Sequence, residues 1–179
     1  MKTTRLLTAL LLALGAGASF AQTPAAGAAS SVQRDVNQQT RIEQGLKSGE
    51  LKTKEAAKLE REESKVDRMQ ANALKDGKVT PAEKARLQAA QNQTSRDIYA
   101  AKHNAATGNP QSASSQRMQA DVQRNVNQEQ RIENGLQNGS LTNHEAAKLE
   151  RGQARVDRKE ARAGRDGEPS EAWMTYGLN

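Results

Sequence analysis

Apolar side chains in this chain fall in narrow rows set between long polar stretches. Leu59, Val66, Met69 and Ala73 recur at spacings of seven, three and four, and Leu87, Ala90, Thr94, Ile98 and Ala101 at three or four, the repeat of one side of an α-helix. The residues between the rows agree with that reading. Gly45 and Gly49 suit the left-handed end of a helix over 32–46, and Asp76-Gly77 closes a second helix over 53–75. Thr80-Pro81-Ala82-Glu83 then supplies a capping hydroxyl, a proline at the first helical position and a glutamate at the third, and so opens a helix over 81–103. Each helix carries one narrow apolar edge, which implies a small bundle or stacked hairpins.

The pattern is written twice. Residues 32–77 reappear without a gap at 122–167, with 27 of 46 positions identical, against roughly one in sixteen by chance. After Gly167 the second copy departs: a tail over 168–179 replaces the third helix and holds Trp173, Met174 and Tyr176. The expected fold is all-α, built of tandem helical-hairpin units: three helices in unit one (32–104) and a truncated two-helix copy in unit two (117–179). A linker over 105–116, rich in Ala, Ser, Gly, Asn and Pro, joins them, and 22–31 is expected to be disordered. The second helix of unit two, Glu145 to Arg165, lacks the partner that Pro81 to His103 provides in unit one. Its open edge would dock on unit one, pair with another chain, or lie under Trp173, Met174 and Tyr176.

The N-terminus reads as an address. Lys2 and Arg5 precede an apolar run from Leu6 to Ala18, and Ser19-Phe20-Ala21 offers small residues at a cleavage site after Ala21, the layout of a secretory signal peptide over 1–21. The run is too short to span a bilayer, which takes about 20 apolar residues. The expected location is periplasmic or secreted, with no transmembrane segment. Without a cysteine, no disulfide supports the fold even there. From residue 22 onward Leu, Ile, Val and Phe number 19 of 158, so the expected object is thin, with alanine supplying much of the helix-forming content.

Two sets of residues are candidates for chemistry. Along the second helix of unit two, Arg151, Arg155, Arg158, Arg162 and Arg165 are spaced four, three, four and three and so share a face. They lie two residues beyond the apolar row Leu149, Val156 and Ala163, about 200° around the helix, and are expected to face away from the core. Such a stripe suits an anionic envelope polymer or lipid surface. Solvation and ion pairing are the plainer reading in unit one, where Glu60, Glu62, Glu63 and Asp67 neighbour Arg61, Lys65 and Arg68; Gly152 and Gln153 leave the row of unit two less neutralised. Nucleic acid is the weakest target, because aromatic residues make up only 2% of the chain and base stacking needs them.

The second set lies in the turns. Asn72 to Glu83 resembles the loop of the EF-hand, the calcium-binding helix-loop-helix family: Asp76 falls at its fifth position, Gly77 at the sixth, Val79 at the eighth, Thr80 at the ninth and Glu83 at the twelfth. Gln44 to Glu55 and Asn134 to Glu145 fit the same frame. The resemblance implies calcium on Asn72, Asp76, Thr80 and Glu83. It breaks at the first position, where Asn72 replaces aspartate, and at the third, where Leu74 has no oxygen to give. A glycine turn and a Thr-x-x-Glu helix cap account for the same residues without metal.

Enzyme signals are close to absent. His103 and His144 lie in different units and in no nucleophile or metal spacing, and each carboxylate has basic neighbours in sequence, with no apolar pocket foreseen to shift its pKa. The pattern RIExGLxxGxLTxxEAxxLER followed by DGxVTxxExxxL resembles a set of exported bacterial helical-repeat proteins, a resemblance that implies a helical exported chain and transfers no activity. The expectation is therefore a non-enzymatic interaction or structural protein. It would bind anionic envelope components through the arginine face, or calcium through EF-hand-like loops, or copies of itself as a scaffold.

Overall fold

A computed structural model describes residues 24–166. The expected signal peptide and the tail with Trp173, Met174 and Tyr176 lie outside them. The described residues form five helices and no strand: α1 (Pro24–Ser48), α2 (Thr53–Leu74), α3 (Pro81–Lys102), α4 (Ala113–Asn138) and α5 (Asn143–Asp166). None is long and apolar enough to cross a membrane.

Local chemistry starts and stops these helices. At α3 the Thr80 hydroxyl accepts from the Glu83 N–H at 3.2 Å, and the Glu83 carboxylate accepts from the Thr80 N–H at 2.9 Å, so two free amides of the first turn are satisfied. Thr142 and Glu145 repeat this device at α5. Between α1 and α2 the chain turns through Gly49, and between α4 and α5 through Gly139, at φ of 81° and 76°, a conformation that L-residues with a Cβ rarely adopt. Leu51 and Leu141 then fold back, their N–H groups donating to Gly45 and Gly135 at 2.9 Å each. A Cβ on either of these two glycines would come within 2.7 Å of the leucine.

The two copies do not sit side by side as separate units. α2 packs most extensively on α5, and α1 on α4, so each helix of one copy takes its own equivalent in the other as its main neighbour. Both pairs run antiparallel. The start of α2 meets the end of α5, where Gly164 abuts Ala57, while the start of α5 meets the end of α2, where a ring nitrogen of His144 lies 3.0 Å from the Lys75 carbonyl oxygen. The result is one four-helix bundle with a pseudo-two-fold axis, and α3 laid against α1 and α2 outside it.

The apolar core is split between the ends of that bundle. One end holds Ile42, Leu46, Leu51, Ala56, Ala57, Leu59, Met118 and Val122, joined by Ile98 of α3. The other holds Ala28, Ala29, Val32, Leu74, Ile132, Leu136, Ala146 and Ala147. Ile42, Leu46, Ala56 and Ala57 of the first are the repeat equivalents of Ile132, Leu136, Ala146 and Ala147 of the second. The middle of the bundle, between the two apolar ends, is polar.

Several expectations change. α1 begins at Pro24, ahead of the repeat, and its Ala28 and Ala29 join the second apolar end. The linker is shorter than expected: α4 starts at Ala113, and Gly108 is held to the first turn by an N–H bond to the Gly49 carbonyl at 2.8 Å. Leu59, Val66 and Ala73 are buried as expected, with Leu87, Thr94 and Ile98 of α3 buried too. Their equivalents Leu149, Val156 and Ala163 do not form a core row: Leu149 is 46% exposed, Val156 is half-buried and Ala163 is exposed. No described helix plays the part of α3 on that side.

Candidate metal centre

What α2 and α5 turn inward is acidic. Their antiparallel crossing brings repeat equivalents into contact: the Ser64 hydroxyl donates to the Ala154 carbonyl at 2.8 Å, and the Asp67 and Asp157 carboxyl groups lie within hydrogen-bond reach of one another. These contacts mark the pseudo-two-fold axis. Around it are eight carboxyl groups, Asp35, Glu60, Glu63, Asp67, Glu129, Glu150, Asp157 and Glu160, none more than 7% exposed. Among the described residues no Lys, Arg or His is buried, and none of the eight forms an ion pair.

Six of them converge in two groups of three. Glu60 of α2 meets Asp157 and Glu160 of α5, and Asp67 of α2 meets Glu150 of α5 and Glu129 of α4; within each group one oxygen per residue lies within 4.8 Å of the others. Both triads draw on both copies of the repeat. Asn125 enters the first, its Nδ2 donating to Glu160 at 2.7 Å and Asp157 at 3.2 Å, and Gln39 donates to Glu60 at 3.2 Å. Gln70 donates to Glu150 of the second at 3.1 Å, while Gln91 of α3 reaches Asp35 at 2.7 Å. Just outside, a cavity of about 470 Å³ between α1, α2 and α3 has Gln70 and Gln91 in its wall.

These donors are too few. Both carboxylate oxygens of Glu63 and of Glu129 have no hydrogen-bond partner, nor does one oxygen each of Asp35, Glu60, Asp67, Glu150 and Asp157. The amide oxygens of Gln38, Gln39 and Asn125 are also unpartnered, although all three side chains are at least nine-tenths buried. A buried polar atom left without a partner is costly, and a buried unpaired charge far more so. Burial accordingly pushes the Asp35 carboxyl up to about 7 and Asp157 to about 6; Glu160 rises to about 7 through burial and the charge of Asp157. Burial, reinforced by neighbouring carboxylates, holds Glu60, Glu63, Asp67, Glu129 and Glu150 well above the usual carboxylate range.

The chain matches no protein family, no curated protein and no solved structure.

The internal repeat therefore serves as its own comparison. Around the axis Glu60 and Glu150 are identical, as are Asp67 and Asp157. Four other interior positions differ only by exchange of a carboxylate for a carboxamide: Asp35 against Asn125, Gln39 against Glu129, Glu63 against Gln153, and Gln70 against Glu160. Each copy contributes four acids. A carboxylate and its amide have the same shape, so these exchanges alter charge and donor count while leaving the packing alone.

Such an interior suits a hard cation. Oxygen donors at about 2.4 Å from a calcium ion and opposite one another are about 4.8 Å apart, the limit within which each triad falls. Carboxylate and amide oxygens select calcium, magnesium or manganese over the softer metals that seek histidine or cysteine, and the chain has no cysteine. The convergence was hidden from sequence reasoning because each acid has basic neighbours along the chain. Those neighbours point outward.

The residues singled out from sequence lie elsewhere. Asn72 is exposed on α2, Asp76 accepts from the Lys78 N–H at 3.2 Å, and the Glu83 carboxylate is engaged by Thr80, which holds its pKa down. The turn thus works as a cap, and Asp76 and Glu83 belong to neither triad. Arg151, Arg155 and Arg162 are exposed and Arg158 is half-exposed, facing away from the core as expected. None of these four is in an ion pair among the described residues. The side chain of Arg165 lies outside the described ones. Of the histidines, His103 stacks on Tyr99 at 4.0 Å and His144 bonds to α2.

Proposed function

We propose that this is an exported, non-enzymatic helical protein that binds divalent cations, calcium foremost, inside its bundle. The observation that carries the reading is the eight-carboxylate interior, which has no cationic side chain and has unpartnered amide oxygens beside its acids. A divalent ion would satisfy both deficits, binding the deprotonated carboxylates and releasing their protons. An extracellular location, supported by the signal-like N-terminus, would supply calcium at concentrations that even a modest site can use.

The test is a calcium titration of the full chain near neutral pH, followed by thermal unfolding. At calcium about 100-fold above the dissociation constant, one site adds about 2.7 kcal/mol, or roughly 5–10 °C in a chain of this size. A melting temperature that ignores calcium, magnesium and manganese alike would refute the reading.

A second activity is favoured by a separate observation. The outer face of α5 presents Arg151, Arg155 and Arg162 without acidic partners, beside the open row of Leu149, Val156 and Ala163. We propose that this face contacts an anionic envelope polymer or lipid surface. Retention on heparin that falls steeply with salt is the expected result; retention indifferent to salt would contradict it.

A further inference from the structure

The two triads are not separate pockets. Each contains one member of the Asp67 and Asp157 pair, whose carboxyl groups lie within hydrogen-bond reach of one another near the axis. Two carboxylates within hydrogen-bond reach repel unless a proton or a metal lies between them. An aspartate placed between two cation sites has one oxygen for each, the arrangement by which paired metal ions are held about 3.5–4 Å apart.

We infer that the bundle holds two hard divalent cations side by side across its pseudo-two-fold axis, bridged by Asp67 and Asp157. One ion would also take Glu60 and Glu160, and the other Glu129 and Glu150. The inference rests on the cation-binding reading above and deepens it by specifying number, arrangement and bridging ligands. The observation independent of the acids is the pair of amide oxygens beside the first triad. Asn125 is fully buried and Gln39 is 2% exposed, each donates its NH₂ into that triad, and neither has a partner for its oxygen. Turning either amide over about its last side-chain bond would offer that oxygen to an ion in the triad, which the NH₂ cannot serve.

The two halves are not equivalent. The first has three carboxylates and the neutral Asn125 and Gln39; at the corresponding positions the second has Asp35 and Glu129, with Gln70 in place of Glu160. More negative charge surrounds the Asp67, Glu129 and Glu150 half, because Asp35 and Glu63 stand near it. That half fills first. Two divalent ions offset four of the six negative charges on their ligand carboxylates, and Asp35 and Glu63 keep their protons, as burial favours.

The arrangement makes each site a product of the duplication. Neither copy alone has a triad, since Glu60 and Asp67 come from the first and Asp157, Glu160, Glu129 and Glu150 from the second.

Manganese(II) alone, added to the full chain near neutral pH and followed by electron paramagnetic resonance, tests this directly. Two equivalents should bind, with the signal at the second equivalent broadened and split by exchange between the ions. Glu160→Gln, which copies Gln70 into the first half and leaves packing unchanged, should reduce binding to one equivalent with an unsplit six-line signal. Two equivalents giving only isolated six-line signals would overturn the bridge, and a single equivalent in the unaltered chain would overturn the pair; both would leave cation binding standing. No bound manganese at all would remove the cation reading together with this inference.

Discussion

The outer face of α2 and the outer face of α5 are close copies that have met opposite fates. Leu59, Val66 and Ala73 lie under α3, buried to within 3% of full coverage, whereas Leu149 stands 46% exposed with Val156 half-buried. On the inner faces the same two helices share Glu60 with Glu150 and Asp67 with Asp157, all buried. The difference separates two kinds of constraint. Outside, an apolar row that no described helix covers becomes surface; inside, the acids of both copies depend on each other's position, and charge changes only between a carboxylate and its amide.

The sharpest break of this comparison is a pair of truncations. Leu59→Ala removes a side chain buried by α3 and should cost about 2–4 kcal/mol, while Leu149→Ala should stay within about 0.5 kcal/mol. Urea unfolding of the two variants measures both, and equal losses would mean that the α5 face is covered as fully as the α2 face.

The inner faces can be separated from the outer by pH. Without divalent cation, the carboxyls of Asp35, Asp157 and Glu160 have folded-state values of about 7, 6 and 7, above those of the unfolded chain near 4. A raised folded pKa means that the native state binds more protons. Stability is therefore fullest below about pH 4 and is lost as pH rises from there through about 7, opposite to ordinary acid denaturation. Melting temperatures in chelator should fall across that window, and saturating calcium should flatten the fall.

A smaller effect comes from charge alone. Asp67→Asn and Asp157→Asn each remove an acid from the axis without changing volume, and should raise the metal-free melting temperature while reducing the response to calcium. If either lowers stability in chelator, the carboxyl is a needed structural partner rather than a waiting ligand. Smaller still is the cap: Thr80→Ala and Thr142→Ala remove matching hydroxyls and should each cost about 1 kcal/mol with no change in calcium response. A lost calcium response in either would return the metal to the turns.

Much of this was legible in the sequence. The helices, their caps, the glycine turns and the inward packing of Leu59, Val66 and Ala73 follow from local rules that each hold within a few residues. The interleaving of the copies did not follow, because nothing local distinguishes a hairpin packed on itself from one packed on its duplicate. The acid core was missed for a related reason. A reading that puts apolar residues inside finds the Leu59 row and stops, whereas α2 has a second buried face, made of Ala56, Glu60, Glu63, Ser64, Asp67, Gln70 and Ala71. One signal was available. On that face the copies differ at Ser64 against Ala154, a small-for-small change, and at Glu63 against Gln153 and Gln70 against Glu160, exchanges of charge at constant shape, as expected of buried positions, while the exposed positions Lys65 and Asn72 became Arg155 and Arg162.

The most direct measurement is a calorimetric calcium titration of the full chain near neutral pH, run beside the double variant Glu60→Gln, Glu150→Gln. A carboxylate interior that takes up divalent ions gives saturable heat with proton release in the unaltered chain and little or none in the variant, which should nonetheless unfold at a higher temperature in chelator. Saturable binding that survives in the variant, or no binding in either, would contradict a cation centre at the heart of this bundle.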